Sequence, residues 1–193
     1  MHTFMRASSR SKRTRGFTLA EILIALALIA VLAAVLLPTV AGQILKGDAG
    51  RVMQDVEAVR AGVDQFLADV HRYPRYYSQL SKPIVVADSD INANTYTTGL
   101  VGRWSGPYVT KDTLGAVVLT GFGGSIQNKL MKVANTNGVD YVTVVILGIA
   151  YPDFQRINEQ IDGTSGVDSL SGLLRYSKTG GIDSVKFLAT PIQ

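Results

Sequence analysis

The pattern of apolar and polar positions changes character twice along the chain. From Phe17 to Val40 apolar residues are nearly continuous. At about 1.5 Å rise per residue, some 20 such residues span a bilayer, so this run predicts a transmembrane helix. Past Gly42 the pattern becomes amphipathic, with Leu45, Val52, Val56, Val59, Val63, Phe66 and Val70 at three-, four- and seven-residue spacing. Asp48, Arg51, Asp55, Arg60, Asp64 and Asp69 fill other positions. This is a helical stripe that must bury against something. One helix is therefore expected from near Thr18 to Val70, bent around Pro38, Gly42 and Gly47. Pro38 removes a backbone donor and crowds the preceding turn. Pro74 disfavours helical geometry at Tyr73, so the helix is expected to end near His71.

Beyond the helix the period shortens. Residues 73–113, rich in Tyr, Ser, Asn, Thr and Gly, predict a connection. Ala116–Phe122 and Tyr141–Leu147 are β-branched, apolar and bounded by glycines, which predicts strands. Ser125–Ala134 fits a strand or a helical turn. Pro152 opens a short helix through Ile161, with Phe154, Ile157 and Ile161 on one face and Gly163 as its stop. Leu173–Ser177 and Val185–Ala189 predict two more strands. Together these give an α+β fold: a small antiparallel sheet covered by the outer half of one long helix. A coiled-coil seam is the alternative for the stripe.

Charge refines the topology. Five of the 19 basic residues, Arg6, Arg10, Lys12, Arg13 and Arg15, precede the apolar run, and the rest of the chain carries 14 basic and 15 acidic residues. The formal net charge of +4 thus belongs to the leader, and it fits a cytoplasmic flank. No basic patch remains to predict nucleic-acid binding. An ordinary secretory signal would also be basic then apolar, but this run is longer than a typical signal core. It also holds Glu21 near its start, the one charged residue between Phe17 and Val40. An intramembrane carboxylate is costly and marks function by default.

Arg15-Gly16-Phe17-Thr18-Leu19-Ala20-Glu21 resembles the cleavage and methylation motif of type IV pilins and type II secretion pseudopilins. The resemblance implies that a prepilin peptidase cuts after Gly16, that Phe17 becomes an N-methylated amino terminus, and that Glu21 is retained. Pro38 matches the family's helix-kinking proline. A cut after Gly16 would create an α-amine with a pKa of about 7.7–8.0. Glu21, four residues on, shares a helical face with it, so the amine of the same subunit or of a neighbour could pair with the carboxylate. The resemblance implies the neighbour, during filament assembly. It covers Arg15 to Ala68 well and is looser beyond. There, Tyr73-Pro74 and Arg103-Trp104-Ser105-Gly106-Pro107-Tyr108 are similar to stretches of the major secretion pseudopilins. The Asp-Pro-Trp-Gly pattern that follows in those proteins is absent; this chain reads Lys111-Asp112-Thr113-Leu114-Gly115.

Other candidate chemistry is sparse. The chain has no cysteine, hence no disulfide or thiolate chemistry. His71 has no serine, cysteine or carboxylate placed by sequence to work with it, and it reads as a residue compatible with the helix C-terminus. The loop from Asp162 to Asp168 combines oxygen ligands with glycines, so both aspartates are calcium candidates, although the full spacing of a calcium loop is missing. Turn capping by the same aspartates needs no metal.

The expected organisation is a leader over 1–16, a transmembrane assembly helix over 17–40, its amphipathic extension over 41–72 and a globular domain over 73–193. The expected function is structural, not enzymatic: a filament subunit, most simply a secretion pseudopilin. A surface pilin for adhesion, motility or DNA uptake is the alternative. A membrane-anchored binding module that never polymerises is the next, and it would need neither cleavage nor Glu21. The implied partners are the prepilin peptidase, other pilin-like subunits, an inner-membrane platform protein and an assembly ATPase. The implied location is the bacterial inner membrane with the globular domain outside the cytoplasm.

Overall fold

A computed structural model describes residues 17–120, 124–163 and 170–193, with the side chains of 37–49 left aside. Helix α1 (Leu19–Val70) accounts for 52 residues and is helical through Pro38, Gly42 and Gly47, where the sequence predicts a weak point. The chain divides into two compact units between Gly42 and Gln43. In the first, an 18-residue stretch from Leu19 to Leu36 has a mean hydropathy of 2.9 and none of it is buried, so it is long and apolar enough to cross a membrane.

The second unit forms around the amphipathic stripe. Val52, Val56, Val59, Val63, Phe66 and Val70 are all buried in one core with the sheet. Full burial of each such side chain contributes about 1.5–3 kcal/mol, enough to hold the helix on the sheet rather than in a coiled-coil seam. Gly62 sits on the same helix where the chain at Tyr108–Val109 crosses it. A Cβ there would lie 2.8 Å from Val109 Cγ1 and 3.3 Å from the Tyr108 carbonyl, so the close crossing requires glycine.

After α1, the connection contains two single-turn helices, α2 (Ser78–Ser81) and α3 (Thr98–Val101). The strands follow: β1 (Val117–Leu119), β2 (Ser125–Gln127), β3 (Met131–Ala134), β4 (Asp140–Leu147), then α4 (Tyr151–Asp162), β5 (Leu174–Thr179) and β6 (Ile182–Pro191). The sheet order is β1-β2-β4-β6-β5, with β3 pairing β4 as well, and every pairing is antiparallel. The ambiguous Ser125–Ala134 segment thus resolves into two strands.

Register sets the faces of the sheet. Val142, Val144 and Ile146 of β4 lie opposite Thr190, Phe187 and Val185 of β6, and the apolar members of this set share the core with α1. The register shifts between Val142 and Thr143, skipping Ala189. On the other face Thr143, Val145 and Leu188 are buried too. Arg175 of β5 belongs to that face by its pairing with Lys186, and its guanidinium donates to the Ala134 carbonyl of β3 at 3.1 Å. Two strands separate donor and acceptor, so the arginine stem covers apolar surface between them. Helix α4 adds Phe154 and Ile157 to the core, and Tyr176 of β5 packs against Tyr151 and Phe154. Gly163 ends the helix at φ 67°.

Candidate functional site

The start of α1 is a capping box. Glu21 accepts a hydrogen bond from the Thr18 backbone N–H at 2.8 Å and another from the Thr18 hydroxyl at 3.0 Å. The Glu21 N–H donates back to the Thr18 hydroxyl at 3.2 Å. Thr18 is the N-cap residue and Glu21 the third helical position, the T-x-x-E arrangement that satisfies two otherwise orphaned donors. Glu21 thus has a hydrogen-bonding partner within the chain, Thr18, three residues back at the T-x-x-E spacing. Phe17, immediately before the cap, is 84% exposed. Gly16 lies outside the described residues, as does the Pro38 side chain.

From Leu19 to Leu36 the large apolar side chains are exposed, Ile22 least at 48%. Among the described residues this surface is left exposed, whereas the stripe of the same helix farther on is buried. The Glu21 carboxylate at its start is held to the backbone N–H of Thr18, the residue after Phe17.

The other end of α1 is clamped by the aromatic stretch that the sequence singled out. His71 occupies the left-handed region at φ 58°, its N–H donates to the Leu67 carbonyl at 2.9 Å, and its ring Nδ1 lies 3.3 Å from the same oxygen. This is a helix-terminating geometry. Asp69 accepts from the Ser105 hydroxyl and, at 2.9 Å, from the Tyr108 hydroxyl. Those bonds, Ser105 first, hold the Asp69 carboxyl below the usual carboxylate range. The Tyr108 ring meets Phe66 and Trp104 edge-on, and Trp104 Nε1 donates to the Gln79 carbonyl at 2.8 Å. Tyr73 donates to the Pro191 carbonyl at 3.0 Å, tying the end of the helix to the end of β6. Tyr-Pro and Trp-x-Gly-Pro-Tyr thus form one helix-end clamp.

Sequence reasoning missed a second set of ties, made by helix carboxylates. Asp64 accepts from the Thr190 hydroxyl at 2.8 Å, and Asp55 pairs with Lys111 at 2.5 Å. The stripe places these residues off the buried face, which gave no hint of partners more than 50 residues away. Asp90, buried within the connection, accepts from Arg72, from Asn94 Nδ2 and from the backbone of Asn92 and Asn94.

At the last position of α4, Asp162 uses its two oxygens to accept the N–H groups of Leu173 and Leu174 at 2.9 and 3.1 Å. Asp168, the other calcium candidate, lies outside the described residues. Among the described residues no group of three or more acidic, histidine or cysteine side chains is arranged to hold a metal ion.

With this geometry in place, known proteins give a consistent picture. Residues 11–37 match the family model described as the prokaryotic N-terminal methylation motif. Type II secretion system core protein G of Klebsiella pneumoniae is 31% identical over 88 residues, 46% of this chain and 63% of that protein. The core protein G of Klebsiella michiganensis is 30% identical over 105 residues, 51% of this chain and 74% of that protein. The Escherichia coli K12 protein of the same name is 36% identical over 70 residues, 36% of this chain and 46% of that protein. The chain therefore spans between about half and three quarters of the length of these relatives. No solved structure matches it.

Proposed function

The chain belongs to the type II secretion system core protein G family of pseudopilins, and from that premise we propose that it is a structural subunit stored in the inner membrane and assembled into a filament through α1. The observation that carries this reading is the contrast along one helix: an exposed apolar run headed by a capped carboxylate, and a buried stripe that holds the globular unit. The first surface has no use in an isolated subunit except to meet lipid or other helices. Stored subunits would keep it in the bilayer; assembled ones would bury it among neighbours.

In this proposal prepilin peptidase cuts after Gly16 and the Phe17 amine is methylated. The new cation then pairs with the Glu21 carboxylate of an adjacent subunit, and Pro38 gives the helix a place to open as it packs. The chain carries no Gly-rich phosphate loop. Extraction therefore depends on a partner ATPase acting through a platform protein. The named relatives favour the secretion branch over a surface pilus. The globular unit faces away from the cytoplasm, since the basic leader stays inside.

Mass spectrometry of protein recovered from the membrane of a cell with the peptidase tests the premise of assembly. An N-methylated Phe17 terminus is expected. An intact leader on protein recovered from filaments would overturn the reading.

A further inference from the structure

We propose that a single buried water molecule is bound to Asp55, in the seam where α1 meets the Thr110–Lys111 segment. One Asp55 oxygen pairs with Lys111 Nζ at 2.5 Å. The other, Oδ2, is fully buried and has no hydrogen-bond partner among the described residues. The side chain is 15% exposed, so bulk solvent does not fill that role. A buried carboxylate oxygen without a donor is the kind of group that ordered water satisfies.

The space for it is present. Asp55, Val59, Tyr77, Thr110, Lys111 and Ile126 line a cavity of about 40 Å³. A water needs roughly 10–15 Å³ of such space and two to four polar partners. The Tyr77 hydroxyl donates to the Lys111 carbonyl at 3.1 Å, which leaves its oxygen free to accept. Burial, then the nearby Asp55 and Asp112 charges, push Tyr77 up to about 12, so it stays a protonated donor. A water in the cavity donates to Asp55 Oδ2 and to the Tyr77 oxygen, the two polar partners that such a site needs. A metal cation does not suit the place, because a single carboxylate already neutralised by Lys111 is a poor ligand set. The water joins α1 to the segment that leads into β1, and this assignment is independent of the filament role.

Nuclear magnetic resonance on the labelled full chain in detergent micelles tests it. Water cross-peaks with the sign of a long-lived bound molecule are expected at the Val59 and Ile126 methyls. Assigned methyls with no such cross-peaks would overturn the proposal. A Val59→Ile variant, with Val59→Leu as a second filling substitution, separates water from relay through the Tyr77 hydroxyl. Loss of the Ile126 cross-peaks with a lower unfolding midpoint supports a displaced water. Ile126 cross-peaks that persist at full strength after filling identify a hydroxyl relay and overturn it.

Discussion

Thr18 and Glu21 hold one another at the head of α1, with the carboxylate accepting at 2.8 Å from the amide and 3.0 Å from the hydroxyl. The helix start is satisfied within the chain, and a free amine at Phe17 would arise one residue before the cap. Local capping and pairing between subunits thus act on the same carboxylate, and substitutions can separate them. Gln at the third helical position caps nearly as well as Glu but carries no charge. Glu21→Gln is expected to insert in the membrane normally yet lose filament yield at least tenfold. Thr18→Val is expected to weaken the helix start by about 1 kcal/mol and to lower yield less. Sheared filament fractions compared with membrane fractions read both. Normal assembly by Glu21→Gln would confine Glu21 to capping.

Gly172 is expected to resist replacement because of Asp162. It sits at φ 80°, and a Cβ there would lie 2.4 Å from Asp162 Oδ2. Gly172→Ala combines the left-handed cost of about 1–2 kcal/mol with displacement of the carboxylate. Asp162→Ala strands the Leu173 and Leu174 amides, at about 1–3 kcal/mol for each that is left buried. The two substitutions share one interaction, so the double variant should be less destabilised than the sum. Urea titrations of the three variants measure the coupling, and strict additivity would show that the loop closes by other means.

The long-period features were legible in sequence. The 3.6-residue stripe from Val52 to Val70 located the buried face of α1, and Pro152 with Gly163 bracketed α4 within a residue at the start and on the mark at its stop. Strands came through where β-branched runs were continuous, as in β4, but β6 extends from Ile182 to Pro191, past the expected Val185–Ala189, because pairing with β4 and β5 recruits polar residues that propensity alone leaves out. The site was legible in its motif and not in its bonding. T-x-x-E encodes the cap, but the same residues sit at the head of an apolar run, where charge alone does not reveal which donors the carboxylate accepts from. Ties such as Asp64 to Thr190 depend on which strand lies under which turn of helix, and no local pattern encodes that.

Tyr96 and Tyr77 should respond oppositely to loss of a hydroxyl. Both are buried. The Tyr96 hydroxyl has no hydrogen-bond partner among the described residues, whereas Tyr77 donates to the Lys111 carbonyl. Tyr96→Phe removes a desolvated polar group and keeps the edge contact of the ring with Phe66. It is expected to stabilise by about 1 kcal/mol, and Tyr77→Phe to destabilise by about the same. Equal destabilisation by both in urea titrations would mean that Tyr96 has a partner after all.

Acid should loosen the helix-end clamp before it unfolds the core. Asp69 is held below its ordinary value by Ser105 and then Tyr108; Asp183 by Tyr176 and then Lys178. A carboxylate whose folded pKa is depressed binds fewer protons folded than unfolded. Its contribution is complete above the unfolded value of about 3.9 and is lost as pH falls through the folded one. The unfolding midpoint in urea is therefore expected to be level near neutrality and to decline from about pH 4 downward. Asp69→Asn cannot titrate, so it should flatten that decline while lowering the midpoint at pH 7. Tyr108 fluorescence changes alongside Trp104 would report the clamp separately from the sheet. An acid profile identical to that of the parent would remove Asp69 from the account and leave Asp183, on the β5–β6 hairpin, as its source.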